Sequence, residues 1–146
     1  MNVFNRRKKY LFRGKVSDDY KSVDKGEWVY GWLAGDDDAY IISSFAANRG
    51  VLESGEKTIC PEISDIYRVD PETVGQYIGA KDHLGVKIFE GDIVVTNWQN
   101  RTGVIKFLLG EYVLAQGCLV TSMNTLIAHK WQLSVVANET DNPELL

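Results

Sequence analysis

Four carboxylates, Glu72, Asp82, Glu90 and Asp92, fall in one stretch of this 146-residue chain, with His83 among them. Such side chains could hold a metal ion or do acid–base work. Their neighbours point elsewhere. Glu90-Gly91-Asp92 and Asp82-His83-Leu84-Gly85 are turn sequences, because Asp bonds its own backbone and glycine accepts positive φ. Asp70 precedes Pro71 and suits a helix N-cap, with Glu72 at the positive end of that turn. A single histidine in a turn reads as solvated. Turn and cap chemistry is therefore the preferred reading, and no metal or cofactor is expected.

Other constellations are weaker. Ser122, His129 and a distant Asp make a triad on paper, as any chain of this size allows. Neither His83 nor His129 sits in an HExxH, nucleophile-elbow or CxxC context, and no GxGxxG or GxxxxGK[ST] loop occurs. No catalytic residue is assigned, and an enzyme is not expected. Cys60 and Cys118 are too few for a zinc site and are expected as reduced, buried thiols. Arg6, Arg7, Lys8 and Lys9 form the basic run. They are the candidate nucleic-acid contacts, weighed against a solvated tail. Trp28, Tyr30 and Trp32 share one strand face and could stack on bases. The following Gly35-Asp36-Asp37-Asp38 would repel phosphate, so a core role is preferred. That loop also lacks the spaced ligands of an EF-hand.

These residues need elements to hold them. The stretch Val69–Val94 reads as an Asp70 cap, one helical turn over Pro71–Thr73 and a strand over Gly75–Ile78. A turn over Lys81–Gly85, a return strand over Val86–Phe89 and a second turn at Glu90–Asp92 follow. Upstream, strands are expected over Tyr10–Val16, Glu27–Ala34 and Tyr40–Phe45. A mobile loop is expected over Ala46–Lys57. Thr58–Val69 is read as irregular to strand, since Pro61 breaks the helical spacing of Ile59, Ile63 and Ile66. Downstream, strands are expected over Ile93–Trp98, Val104–Leu109, Tyr112–Ala115 and Trp131–Val136. Between the last two, Leu119, Met123, Leu126 and Ile127 have helical spacing, with strand left open. Pro143 could start a turn that docks Leu145 and Leu146.

The resulting fold class is mainly β with few short helices. An SH3-like or KOW-like small barrel would occupy residues 86–146, tail included. Residues 69–85 would join it to an N-terminal β region, residues 1–68. The expected core is Phe12, Trp28, Tyr30, Trp32, Ile41, Tyr77, Ile88, Ile93, Val95, Val104, Phe107, Leu114 and Leu133.

Several blocks resemble the YopX family of phage and prophage proteins. They are Phe12-Arg13-Gly14-Lys15, Gly26-Glu27-Trp28-Val29-Tyr30-Gly31-Trp32-Leu33, Val69 through Val94, and Asn142-Pro143-Glu144-Leu145-Leu146. The family's usual Val-Ile-Gly-Asn-Ile run is replaced here by Val135-Val136-Ala137-Asn138-Glu139. The resemblance implies a phage or prophage origin and carries no catalytic residues over.

Composition bounds the rest. Hydrophobic residues make up 45% and charged residues 25%, ordinary for a globular protein. The net charge of −4 argues against a general nucleic-acid coat. No apolar run approaches a membrane span, and the basic N-terminus lacks a signal-peptide core. The chain is expected in the cytoplasm of a bacterial host, as a homo-oligomer that binds an unknown host or phage macromolecule. The alternatives are a small-barrel nucleic-acid-binding module and, second, a small metal-dependent enzyme using the four carboxylates.

Overall fold

The computed structural model describes residues 10–17, 26–51, 53–97, 100–128 and 132–146, without the side chains of 45–51 and 58–61. The described chain is mainly β, in antiparallel sheets. It forms two compact units that meet in sequence at Val74/Gly75.

The first unit, Tyr10–Val74, holds β1 (Phe12–Lys15), β2 (Trp28–Ala34), β3 (Ala39–Val51) and β4 (Lys57–Val69). They lie side by side in the order β4-β3-β2-β1, all antiparallel. Period-two alternation puts Val16, Ile41 and Val69 on one face, where all three are buried. Gly31 sits at a close backbone approach: a Cβ there would lie 2.0 Å from the Ile42 carbonyl oxygen. After β4, Asp70 accepts from the Glu72 amide at 3.1 Å and caps a 3-10 turn over Pro71–Thr73. The Thr73 hydroxyl accepts from the Lys15 amide at 2.8 Å, which ties the turn to β1. The expected cap and helical turn are thus present.

Two expectations fail in this unit. The segment 46–57, read as a loop, mostly continues β3 and starts β4, giving a ribbon of two 13-residue strands. Its small and polar residues hid the pairing, which is set by backbone register with Asn48 opposite Cys60 and Val51 opposite Lys57. The aromatic stripe of β2 is also not core. Tyr30 is 47% and Trp32 50% exposed, while Trp28 is half-buried under the Arg13 guanidinium, 4.8 Å from its ring. The buried face is the opposite one, where Gly31 and Ile41 lie.

The second unit, Gly75–Leu146, begins with the hairpin β5 (Gly75–Lys81) and β6 (Lys87–Phe89), close to expectation. Gly85 supplies the positive φ, +84°, that its turn needs. Then come β7 (Asp92–Thr96), β8 (Arg101–Leu108), β9 (Glu111–Gln116), β10 (Leu119–Ser122) and β11 (Leu133–Asn138). Their order is β10-β9-β8-β7-β11. The core cluster is Ile88, Val94, Ile105, Leu114, Met123, Leu126 and Leu133.

The closed barrel expected within residues 86–146 is not found among the described residues: the sheet is open, with β10 and β11 at its ends. β6 pairs with β5 and stands outside this sheet. Between β10 and β11 runs α1 (Met123–Ala128), the only α-helix among the described residues. It delivers Met123 and Leu126 into the core, so a helix covers the sheet where strand-to-strand closure was expected. Phe107, expected inside, is 52% exposed and packs edge-on against Tyr112 at 5.0 Å. The tail forms a 3-10 turn over Pro143–Leu145, and both Leu145 and Leu146 remain exposed.

Candidate functional site

The turn after β5 is the most tightly determined polar feature of the second unit. Asp82 is 8% exposed. Its Oδ1 accepts from the Leu84 and Val86 amides, each at 2.9 Å, as an Asx residue does in a turn. Its Oδ2 accepts from the Val135 amide of β11 at 3.1 Å. Burial works to raise the carboxyl's pKa. The three backbone N–H groups and the neighbouring imidazole outweigh it, so Asp82 is held below the ordinary carboxylate range.

This clamp places His83. Its backbone N–H donates to the Leu133 carbonyl at 3.1 Å. Its Nδ1 lies 3.0 Å from the same oxygen and 3.1 Å from the Ser134 hydroxyl. A carbonyl only accepts, so the network assigns the proton to Nδ1 and leaves the neutral ring a lone pair on Nε2. The ring stands at a cleft of about 230 Å³. Ile88, Met123 and Leu133 give the cleft apolar walls, and Lys81 and Gln132 add polar groups.

The first unit offers a surface instead of a cleft. β4 is the outermost strand of its order. At its end Val16 bridges to Val69 and the Arg68 carbonyl accepts from the Ser17 amide at 3.0 Å, and no described strand pairs along the rest of its far side. Along it Ile63 is 52% and Ile66 40% exposed. The register Trp32–Ile42–Ile66 carries one apolar row across β2, β3 and β4. A bulge near Ser44 interrupts the β3–β4 ladder, and there the Ser44 hydroxyl donates to Asp65 at 2.5 Å.

The family model described as YopX protein matches residues 12–146. This chain belongs to the YopX family. The same architecture occurs in the crystal structure of protein EF1440 from Enterococcus faecalis. It is 24% identical and covers 94% of this chain and 96% of that one, with a TM-score of 0.61. At that identity the likeness speaks for the fold alone. No curated protein matches.

In this YopX-family chain the four carboxylates are not gathered. Asp82 is spent on its turn, and Asp92, 2% exposed, accepts from the Phe89 amide at 2.8 Å. Glu72 is exposed beside the Asp70 cap. Glu90 is half-buried, and its charge adds to burial in raising the Tyr112 pKa. Among the described residues no group of three or more metal-ligating side chains forms. Ser122 donates to Glu111 at 2.7 Å, and His129 lies outside the described residues, as do Arg6, Arg7, Lys8 and Lys9. Cys118, expected buried, is exposed because it sits in the turn between β9 and β10, and the Cys60 side chain is not described. Sequence reading missed the clamp of His83 onto β11. The signal was the Asp82-His83 pair itself, but Leu133 and Val135 are too far along the chain to be linked to it by pattern. No helix of the described residues is long and apolar enough to cross a membrane.

Proposed function

We propose that this YopX-family protein is a non-enzymatic phage or prophage accessory protein that acts in the host cytoplasm. It self-associates through β4 and in that form binds a host or phage macromolecule. The observation that carries the reading is the position of β4: a 13-residue strand, roughly 43 Å at about 3.3 Å per residue, at the outer end of its strand order with Ile63 exposed. Outer strands present backbone donors and acceptors to another chain, and proteins usually blunt them by shortness, charge or proline. β10, at the end of its sheet, is blunted by length, with 4 residues. β4 is blunted at Pro61, which lacks an N–H, and its Arg68–Val69 end is taken up by Val16 and Ser17, which leaves Glu62–Tyr67 as the pairing segment. A second copy running antiparallel about Asp65 sets Ile63 against Tyr67.

Size-exclusion chromatography with light scattering tests this. The native chain is expected to show a mass that rises with concentration, and Ile63→Lys to weaken association by about fivefold, the scale of a cross-strand pair. A native chain that stays monomeric at every concentration overturns the reading.

A second reading, a nucleic-acid-binding module, has two observations in its favour. Tyr30 and Trp32 are exposed on the same strand, and Arg13 lies over Trp28. The meander order of the second unit's sheet, with the last strand returning beside the first, is also that of SH3-like small barrels, an analogy of pattern. Fluorescence anisotropy with single-stranded oligonucleotides at low salt would show binding that Trp32→Ala weakens; no binding there removes this option.

A further inference from the structure

The geometry points to a small-molecule site in the second unit: the cleft beside His83 takes a compact monoanion with a ring-sized apolar body. This inference is independent of self-association. A cavity of about 150 Å³ holds benzene. The cleft here, about 230 Å³, has room for such a body plus a charged head.

Its lining divides accordingly. Ile88 and Met123 belong to the core cluster and are almost wholly buried, and Leu133 continues that wall. A few convergent polar groups on apolar walls are what fix a ligand's orientation. Here they are the Lys81 ammonium, the His83 ring and the Gln132 amide. Lys81 makes no ion pair among the described residues. Asp82, the carboxylate that lines the cleft, already accepts three backbone N–H bonds, so it is turned to the fold and not to an incoming cation. Lys81 and Asp82 carry the formal charges of the lining, and because three backbone N–H groups already solvate the carboxylate, the Lys81 ammonium is the charge left to meet a ligand, which selects an anion. His83 is already oriented, because both its backbone N–H and its Nδ1 are held by the Leu133 carbonyl. Its Nε2 makes no hydrogen bond among the described residues and is the ring's remaining polar atom for a ligand. A preorganised polar group loses little freedom on binding.

The test uses the full chain, with benzoate as the probe and benzamide, its neutral near-isostere, as the control. Amide chemical shifts are followed by NMR through the millimolar range. The expected result is saturable benzoate binding, with shifts at Lys81, His83 and Leu133, and benzamide weaker by about tenfold. Lys81→Met alters an exposed side chain at the end of β5, so the fold is expected to stand. In that variant benzoate should fall to the benzamide level while benzamide binding stays unchanged. Three results would overturn the site: no saturable shift at those residues, equal affinity for the two probes in the native chain, or benzoate binding indifferent to Lys81→Met.

Discussion

Asp82 shows how one side chain can join distant parts of a fold. It accepts two amides from its own turn and one from β11, and all three bonds depend on its carboxylate. Replacing it with Ala removes the acceptor of all three, which costs about 2–3 kcal/mol. For a chain of this size that is a fall in Tm of roughly 5–10 °C, measured by thermal unfolding. The pH dependence follows from the lowered pKa. The folded state binds this proton less readily than the unfolded state. The contribution is therefore fully present above the ordinary carboxylate pKa, near ~4, and is lost as pH falls through the folded value. Asp82→Ala should accordingly lose most against the native chain at neutral pH, and the gap should close in acid. A gap that is constant with pH would mean that the carboxylate's charge is not what holds the turn. The turn itself was legible, since Asp-x-x-Gly declares its chemistry locally. Its bond to Val135 was not, because nothing in the sequence links positions 53 apart.

At the scale of elements, alternation and turn residues placed most strands within a few positions. They failed where two physical signals compete. In β2 the large aromatics lie on the exposed face, while the buried face carries Gly31. Side-chain size pointed to the wrong face, because a close backbone approach demands the absence of a side chain. In β3 and β4 the pairing is carried by main-chain register through small residues, which hydrophobic pattern cannot see. The proposed pairing of two β4 strands has a consequence at this scale. Centred on Asp65, it sets two like charges against each other, which costs up to about 1 kcal/mol. Asp65→Asn should tighten association by up to about fivefold in a dilution series followed by sedimentation. Association that weakens or does not change would place the two-fold axis elsewhere on the strand.

At the scale of the molecule, the mainly β class was legible from the β-branched and aromatic content and the spacing of turns. The closed barrel was not, since closure depends on whether the end strands meet, and α1 occupies the connection between them. The family was legible too, because its blocks coincide with conspicuous local structure: the Asp70 cap, the Gly85 turn and the Gly91 corner, where φ is +86°. What these parts share is scaffolding: their carboxylates hold backbone, and β4 is left at the outside. The central claim is that this strand recruits a second copy. Amide hydrogen exchange of β4, compared between dilute and concentrated protein, tests it most directly. The Glu62–Tyr67 amides are expected to gain protection with concentration while those of β7 and β8 do not change. Exchange in β4 that is identical at both concentrations would contradict it.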